Sequence, residues 1–176
     1  MKGGESLNKN GTEIYISREE KRKLIETTVR KYSGFIFRLA YQNLKNRFDA
    51  EDILQEVSIA LVKNNAPLSD EEHLKSWLVT VTINKCRNFK RSNKLRAYVP
   101  LDECFELEAP KAQKIMEELW QLPEKYRNVI YLYYYESFKI SEIAEILSEK
   151  PNTIGTRLKR ARKALGIILE KEDNYG

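Results

Sequence analysis

Residues 152–165 read NTIGTRLKRARKAL, and the way this stretch folds decides how the rest of the chain is read. Ile154, Leu158, Ala161 and Leu165 recur at the three- and four-residue steps of one helical face. Asn152, Thr156, Lys159 and Lys163 recur on the opposite face, with Arg157, Arg160 and Arg162 on the flanks. A helix with an apolar back and a cationic front packs on a core with one side and meets a polyanion, or only water, with the other. Immediately upstream, ISEIAEIL (140–147) sets Ile143, Ala144 and Leu147 on one face. Pro151 is expected to stop that helix, and Asn152 or Thr153 to cap the next. Two short helices around a tight turn, the second of them basic, predict a helix-turn-helix.

Outward from this point the periodicity stays helical. PEKYRNVIYLYYYESF (123–138) can start on Pro123 and offers Tyr126, Val129, Ile130 and Tyr133 to a core. Lys114 to Leu122 opens the same helical group. AYVPLDECFELEAPKAQ (97–113) holds two prolines and a local acidic excess, and reads as a linker. Before it, Ser17 and Glu20 stand at capping-box spacing ahead of an apolar series from Leu24 through Tyr32, Ile36 and Leu39 to Leu44, with Gly34 as a candidate interruption. A second helix is expected over about Asp49–Asn64, burying Ala50, Ile53, Leu54, Val57, Ala60 and Leu61. A third, about 71–94, turns Leu74, Trp77, Leu78, Val81 and Phe89 inward. Its VTVTI run (79–83) also suits a strand, but the placing of Leu74, Trp77, Leu78 and Val81 favours a helix.

The expected architecture is therefore all-α: two small helical domains, 17–95 and 114–170, joined by a flexible linker at 96–113, the second containing the helix-turn-helix. Residues 1–16 are polar and glycine-bearing, and are expected to form a mobile tail. No apolar run approaches the roughly 18 to 20 residues needed to span a bilayer, and the N-terminus lacks the apolar core of a signal peptide, so a cytoplasmic location without membrane insertion is expected.

Charge is distributed unevenly along the 176 residues. Residues 18–96 hold 17 Lys and Arg against 10 Asp and Glu, whereas 97–113 hold one against four. A basic block suits nucleic acid. The helix at 152–165 would place Asn152, Thr156 and Lys159 at base edges and Arg157, Arg160, Arg162 and Lys163 at phosphates. On the third helix, Arg87, Lys90, Arg91 and Lys94 with polar Thr80 and Asn84 form a second basic surface suited to a nucleic-acid strand, and the loop before it could receive an unstacked base. Asp49, Asp52 and Glu56 would repel DNA. With Ile59 beside them they suit a protein partner.

One histidine, His73, and two unclustered cysteines, Cys86 and Cys104, make no metal-ligand pattern, and no cofactor is implied. No nucleophile with acid–base partners is visible, so an enzyme such as a recombinase is disfavoured. A stand-alone DNA-binding regulator stays open on the residues alone.

Four segments in order, AEDILQEV, LKSWLVTVTINKCRNFKR, LPEKYRNVIYLYYYESFKISEIAEIL and NTIGTRLKRARKAL, resemble bacterial sigma factors of the extracytoplasmic-function group, over about 30–166. The resemblance implies domains equivalent to sigma regions 2 and 4 with no third domain between them. It implies a non-enzymatic protein that binds core RNA polymerase through Asp49, Asp52, Gln55, Glu56 and Ile59. It assigns the melted minus-ten element of promoter DNA to the 64–73 loop and to Thr80, Asn84, Arg87 and Arg91. The minus-thirty-five element falls to Asn152, Thr153, Thr156, Arg157, Lys159, Arg160 and Lys163. An anti-sigma factor often restrains such proteins, though no residue here marks one. The chain departs from the family at Asn152, where glycine is frequent, and at Gly155 and Ile83, where a basic residue is frequent; Lys139 stands where a capping Ser or Thr is common.

Overall fold

The computed structural model describes residues 6–7, 13–14, 18–64, 70–92 and 118–173. The chain divides into two compact units, Met1–Val99 and Pro100–Gly176. The 96–113 stretch expected as a linker, the Ser17 cap, Cys104 and the loop tip at 65–69 lie outside the described residues.

The first unit is built from α1 (Arg18–Leu44), α2 (Arg47–Lys63) and α3 (Glu71–Ser92), each packed on the other two. Gly34 does not interrupt α1, which runs through it. Two residues join α1 to α2. Lys45 takes the left-handed conformation at φ 56°, and Asn46 caps α2 by accepting the Asp49 N–H at 3.0 Å. The helix therefore starts at Arg47, ahead of the expected Asp49, because the short amide side chain of Asn46 supplies an acceptor that the free N-terminal amides need. Leu39, Ile53, Val57, Leu61 and Leu78 are the centre of the core, while Leu54 and Ala60 are only half-buried.

The VTVTI run is helical, and its inward face is rotated from the expected one. Leu74 and Leu78 are buried as expected, but Trp77, Val81 and Phe89 stand at the rim. Val79, Thr82, Ile83 and Cys86 take the interior instead. The face is wide because both α1 and α2 pack against it. Thr82 is tolerated there because its hydroxyl donates to the Leu78 carbonyl at 2.7 Å. Ile83, at a position where the resembling family often carries a base, is thus a core residue.

In the second unit, residues 118–120 are helical and lead to α4 (Glu124–Ile130), which Pro123 precedes. The chain then widens into a π turn over Tyr131–Tyr135, closed by the Glu136 N–H donating to the Tyr131 carbonyl at 3.2 Å. The widened turn buries Tyr131 and Leu132 and leaves Tyr134 and Tyr135 exposed. Burial also includes Arg127 and Asn128, which the expected face of α4 omitted. The Arg127 guanidinium donates to the Leu122 carbonyl at 3.3 Å, and burial pulls its pKa down.

Next come α5 (Ile140–Leu147) and α6 (Pro151–Asp173). Lys139 has no side-chain acceptor, so only the other half of a capping box forms: the Lys139 N–H donates to Glu142 at 2.6 Å. α5 ends on Ser148 in the left-handed conformation, with the Glu149 N–H returning to the Ala144 carbonyl at 2.8 Å. Pro151 is therefore not a stop: it is the first residue of α6, where its missing N–H costs nothing. Asn152 and Thr153 are consequently inside the helix, and the first carbonyl to accept is that of Lys150.

Residues 1–16, expected to form a mobile tail, include a four-residue antiparallel ladder that pairs Ser6 with Ile14 and Leu7 with Glu13. The ladder adds no layer to either helical unit.

Candidate nucleic-acid interface

Ile154, Leu158 and Ala161 are buried against the rest of the second unit and lock the rotation of α6. That rotation turns Asn152, Thr156, Lys159 and Lys163 to the surface, all exposed, with Thr153 half-buried at the edge. Lys159, Arg160, Arg162 and Lys163 pair with no carboxylate among the described residues. Thr156 donates its hydroxyl to the Asn152 carbonyl at 2.9 Å, which fixes its rotamer on the outer face. A groove between the start of α4 and α6 is lined by Lys125, Tyr126, Asn152, Thr153, Thr156, Arg157 and Arg160. The arrangement presents amide, hydroxyl and ammonium groups along one ridge with guanidinium groups beside it. Groups of this kind read base edges and hold phosphates.

Arg157 differs from its expected role. Its guanidinium is held by Glu149 at 2.7 Å, and both side chains are mostly covered, at 25% and 33% exposure. Partial desolvation strengthens that pair. Arg157 thus ties α6 to the turn that precedes it, in addition to lining the groove.

On α3, Asn84, Arg87 and Arg91 are exposed and Thr80 is half-buried, its hydroxyl donating to the Ser76 carbonyl at 2.9 Å. Arg91 is braced by Asn88 at 3.0 Å. The start of α3 is pinned to α1. Glu71 accepts from Lys31 at 2.6 Å and from the Tyr32 hydroxyl at 3.1 Å. These two hydrogen bonds hold the Glu71 carboxyl below its ordinary value, and the first raises Lys31 in turn. Asp70 contacts His73 Nδ1 at 2.7 Å and accepts the Glu72 N–H at 2.9 Å; both lower its pKa, the His73 contact more. Residues 71–73 of the loop expected at 64–73 therefore belong to α3, and Asp70 just before them is anchored at this point.

On α2, Asp52, Gln55, Glu56 and Ile59 are exposed and Asp49 is half-buried. Glu56 reaches Lys85 of α3 at 2.8 Å. Two residues missed in the sequence complete this face: Phe48 and Val62, 59% and 53% exposed. Phe48, Asp52, Gln55, Ile59 and Val62 follow each other at alternating steps of four and three, so stepping outward from Ile59 in the sequence would have found both. No such signal exists for Glu149 or Lys85, whose partners are set by the turn and by the packing of α2 on α3. Among the described residues no cluster of His, Cys, Asp and Glu could hold a metal ion, and no helix is long and apolar enough to cross a membrane.

Residues 28–96 match the family model Sigma-70 region 2, and residues 112–165 match Sigma-70, region 4. RNA polymerase sigma factor SigV of Bacillus subtilis (strain 168) is 34% identical over 156 residues, covering 85% of this chain and 93% of SigV. ECF RNA polymerase sigma factor SigW of the same organism is 31% identical over 156 residues, covering 76% of this chain and 82% of SigW. Among solved structures, CnrH in complex with the cytosolic domain of CnrY superposes with a TM-score of 0.62 at 19% identity, over 85% of this chain and 90% of CnrH. The sigma factor RpoE in complex with the anti-sigma factor NepR from Bartonella quintana gives 0.60 at 20% identity, over 86% of this chain and 96% of RpoE. At these identities the structural likeness speaks to the fold.

Proposed function

The chain belongs to the RNA polymerase sigma factors of the extracytoplasmic-function group, and from that premise we propose how its surfaces divide the work. As a sigma factor it binds core RNA polymerase and directs promoter-specific initiation, and it is not itself an enzyme. Asn152, Thr153, Thr156 and Lys159 read the minus-thirty-five element from the major groove, while Arg160 and Lys163 hold phosphates. Arg157 shares its charge between Glu149 and the groove. Thr80, Asn84, Arg87 and Arg91 engage the melted minus-ten element. The α2 stripe, with Asp52, Gln55, Glu56 and Ile59 at its centre, docks on polymerase. The protein acts in the cytoplasm, where polymerase and promoters are. An anti-sigma factor belongs to its partner set, as NepR does to that of RpoE.

The observation that carries this reading is the segregation of charge by face. α6 lifts unpaired cations onto one ridge, and α2 offers carboxylates among exposed apolar side chains. A DNA-binding protein with no protein partner has no use for the second surface.

Run-off transcription from a promoter library, with bacterial core polymerase and with or without the chain, tests it. New transcripts sharing two spaced upstream elements are expected. Asp52→Ala with Glu56→Ala should weaken polymerase binding and spare DNA contacts. Unchanged start sites, or unchanged polymerase affinity in the double variant, would respectively refute the reading and the assignment of the face.

A further inference from the structure

The outward face of α1 carries a feature that none of the three surfaces uses. From Thr27 to Phe48 the chain has no acidic residue. Arg30, Gly34, Phe37, Arg38, Tyr41 and Lys45 recur within this span at helical steps and lie opposite the buried Phe35, Ile36 and Leu39. Phe37 and Tyr41, both half-buried, stack with ring centroids 5.8 Å apart and planes within 9°. Arg30 and Arg38 are exposed and pair with no carboxylate among the described residues. Lys31, the remaining cation in this part of the helix, is engaged by Glu71. Gly34 leaves its position open, and the Arg38 guanidinium lies over it, 3.2 Å from where a Cβ would stand.

We propose that the α1 ridge of Arg30, Phe37, Arg38 and Tyr41 is a binding track for single-stranded DNA, separate from the α3 face. Two unpaired guanidinium groups about 12 Å apart along the helix supply attraction to phosphates over a stretch free of opposing carboxylates. The stacked rings of Phe37 and Tyr41, one on either side of Arg38 along the helix, supply a π surface. A duplex hides its base faces, whereas an unpaired strand offers both phosphates and open bases to such a ridge. A protein interface also employs Arg and aromatic side chains, so the salt slope with DNA is the reading that separates the two occupants. The proposal takes its setting, an opened promoter, from the sigma-factor reading, but its test does not depend on that reading.

The test measures polarisation of fluorescein-labelled dT20 with the full chain across a salt series, for the native protein, Arg30→Ala/Arg38→Ala and Tyr41→Leu. The arginine variant should bind more weakly, with the slope of log affinity against log salt reduced by about 1.4, at about 0.7 per phosphate. Tyr41→Leu should lose about fivefold or more in affinity. Arg30 and Arg38 are exposed, so their removal leaves the core intact and keeps the test valid if Tyr41→Leu folds poorly. Native affinity and slope in the arginine variant would overturn the proposal, as would absence of dT20 binding by the native chain at 50 mM salt. Loss of core-polymerase affinity with dT20 binding unchanged would make the ridge a protein contact, which also overturns it. Lys159→Ala serves as the control: it should weaken duplex promoter binding and spare dT20. Failure of the chain to redirect polymerase would sink the sigma-factor reading and leave this result standing.

Discussion

Replacing Gly155 with alanine separates what the recognition helix needs to fold from what it needs to bind. Gly155 sits in the first turns of α6, flanked by Ile154 and Thr156, in ordinary helical backbone rather than the left-handed region. A Cβ built there meets nothing within 4 Å, so alanine introduces no clash. Glycine in a helix interior is about 0.8–1.0 kcal/mol less favourable than alanine. Gly155→Ala should therefore stabilise the C-terminal unit by about 1 kcal/mol. For a unit of this size that corresponds to a rise of roughly 4–8 °C in Tm. Thermal unfolding followed by circular dichroism at 222 nm measures it. No rise, or a fall, would refute the inference that the backbone at 155 does not require glycine.

The same substitution should weaken promoter binding. Gly155 adjoins Asn152 and Thr156 on the half of α6 that we propose reaches base edges, and a missing side chain lets backbone approach a ligand closely. Adding a methyl group to a tightly fitted contact costs typically 1–3 kcal/mol, or roughly five- to 150-fold in affinity. A minus-thirty-five duplex titrated with reconstituted holoenzyme measures this. A higher Tm with unchanged duplex affinity would mean that α6 seats more shallowly than its exposed ridge implies, and that glycine at 155 serves no contact.

Lys159→Ala should change which promoters are used, at a cost of about 1–3 kcal/mol confined to one position of the site. Arg160→Ala should weaken every promoter alike and reduce the salt slope by about 0.9; equal effects of both in transcription from a promoter library would end the division between reading and positioning. Ile143→Ala removes a fully buried side chain between α5 and its neighbours. It should cost about 2–5 kcal/mol in urea denaturation, with a native-like midpoint as the contrary result. The Glu71 carboxyl is held below its ordinary value of 4.5 by Lys31 and Tyr32, so its stabilising effect is fully present above that pH and is lost as pH falls through the lowered value. Glu71→Gln should flatten the acid limb of the stability–pH curve below about pH 4.5, and an unchanged limb would count against the anchoring role of this cluster.

The helix-turn-helix was legible because Ile154, Leu158 and Ala161 follow one helical stripe with no polar intruder, and the cations opposite them have nowhere else to point. The rotation of α3 was not legible. Packing against two helices buries a face wider than one stripe, and Thr82 hides its polarity in a hydrogen bond to the helix backbone, so it reads as outward when only residue type is counted. Pro151 was misread for a related reason. Proline ends a helix from inside and opens one from its first position, and only the left-handed Ser148 three residues earlier distinguishes the two. The Arg157–Glu149 pair depends on how that turn closes, which no spacing encodes. Of the candidate sites, the α6 ridge and the α2 stripe were visible as surfaces, whereas the residues that brace them were not.

The bracing contacts also bear on how the N-terminal unit can serve two partners at once. α2 presents carboxylates and α3 presents cations, and Glu56 and Lys85 meet at 2.8 Å between the two faces. Both side chains remain accessible, at 50% and 37% exposure, so this bridge contributes at most about 1 kcal/mol. On the division of faces we propose, either partner can therefore be withdrawn, Glu56 by a polymerase cation or Lys85 by a phosphate, at little cost to the fold. The core beneath does not depend on the pair, because Ile53, Val57, Leu78 and Ile83 hold α2 against α3 through apolar burial. A buried ion pair in the same place would resist that exchange by several kcal/mol, and docking on one face would then work against engagement of the other.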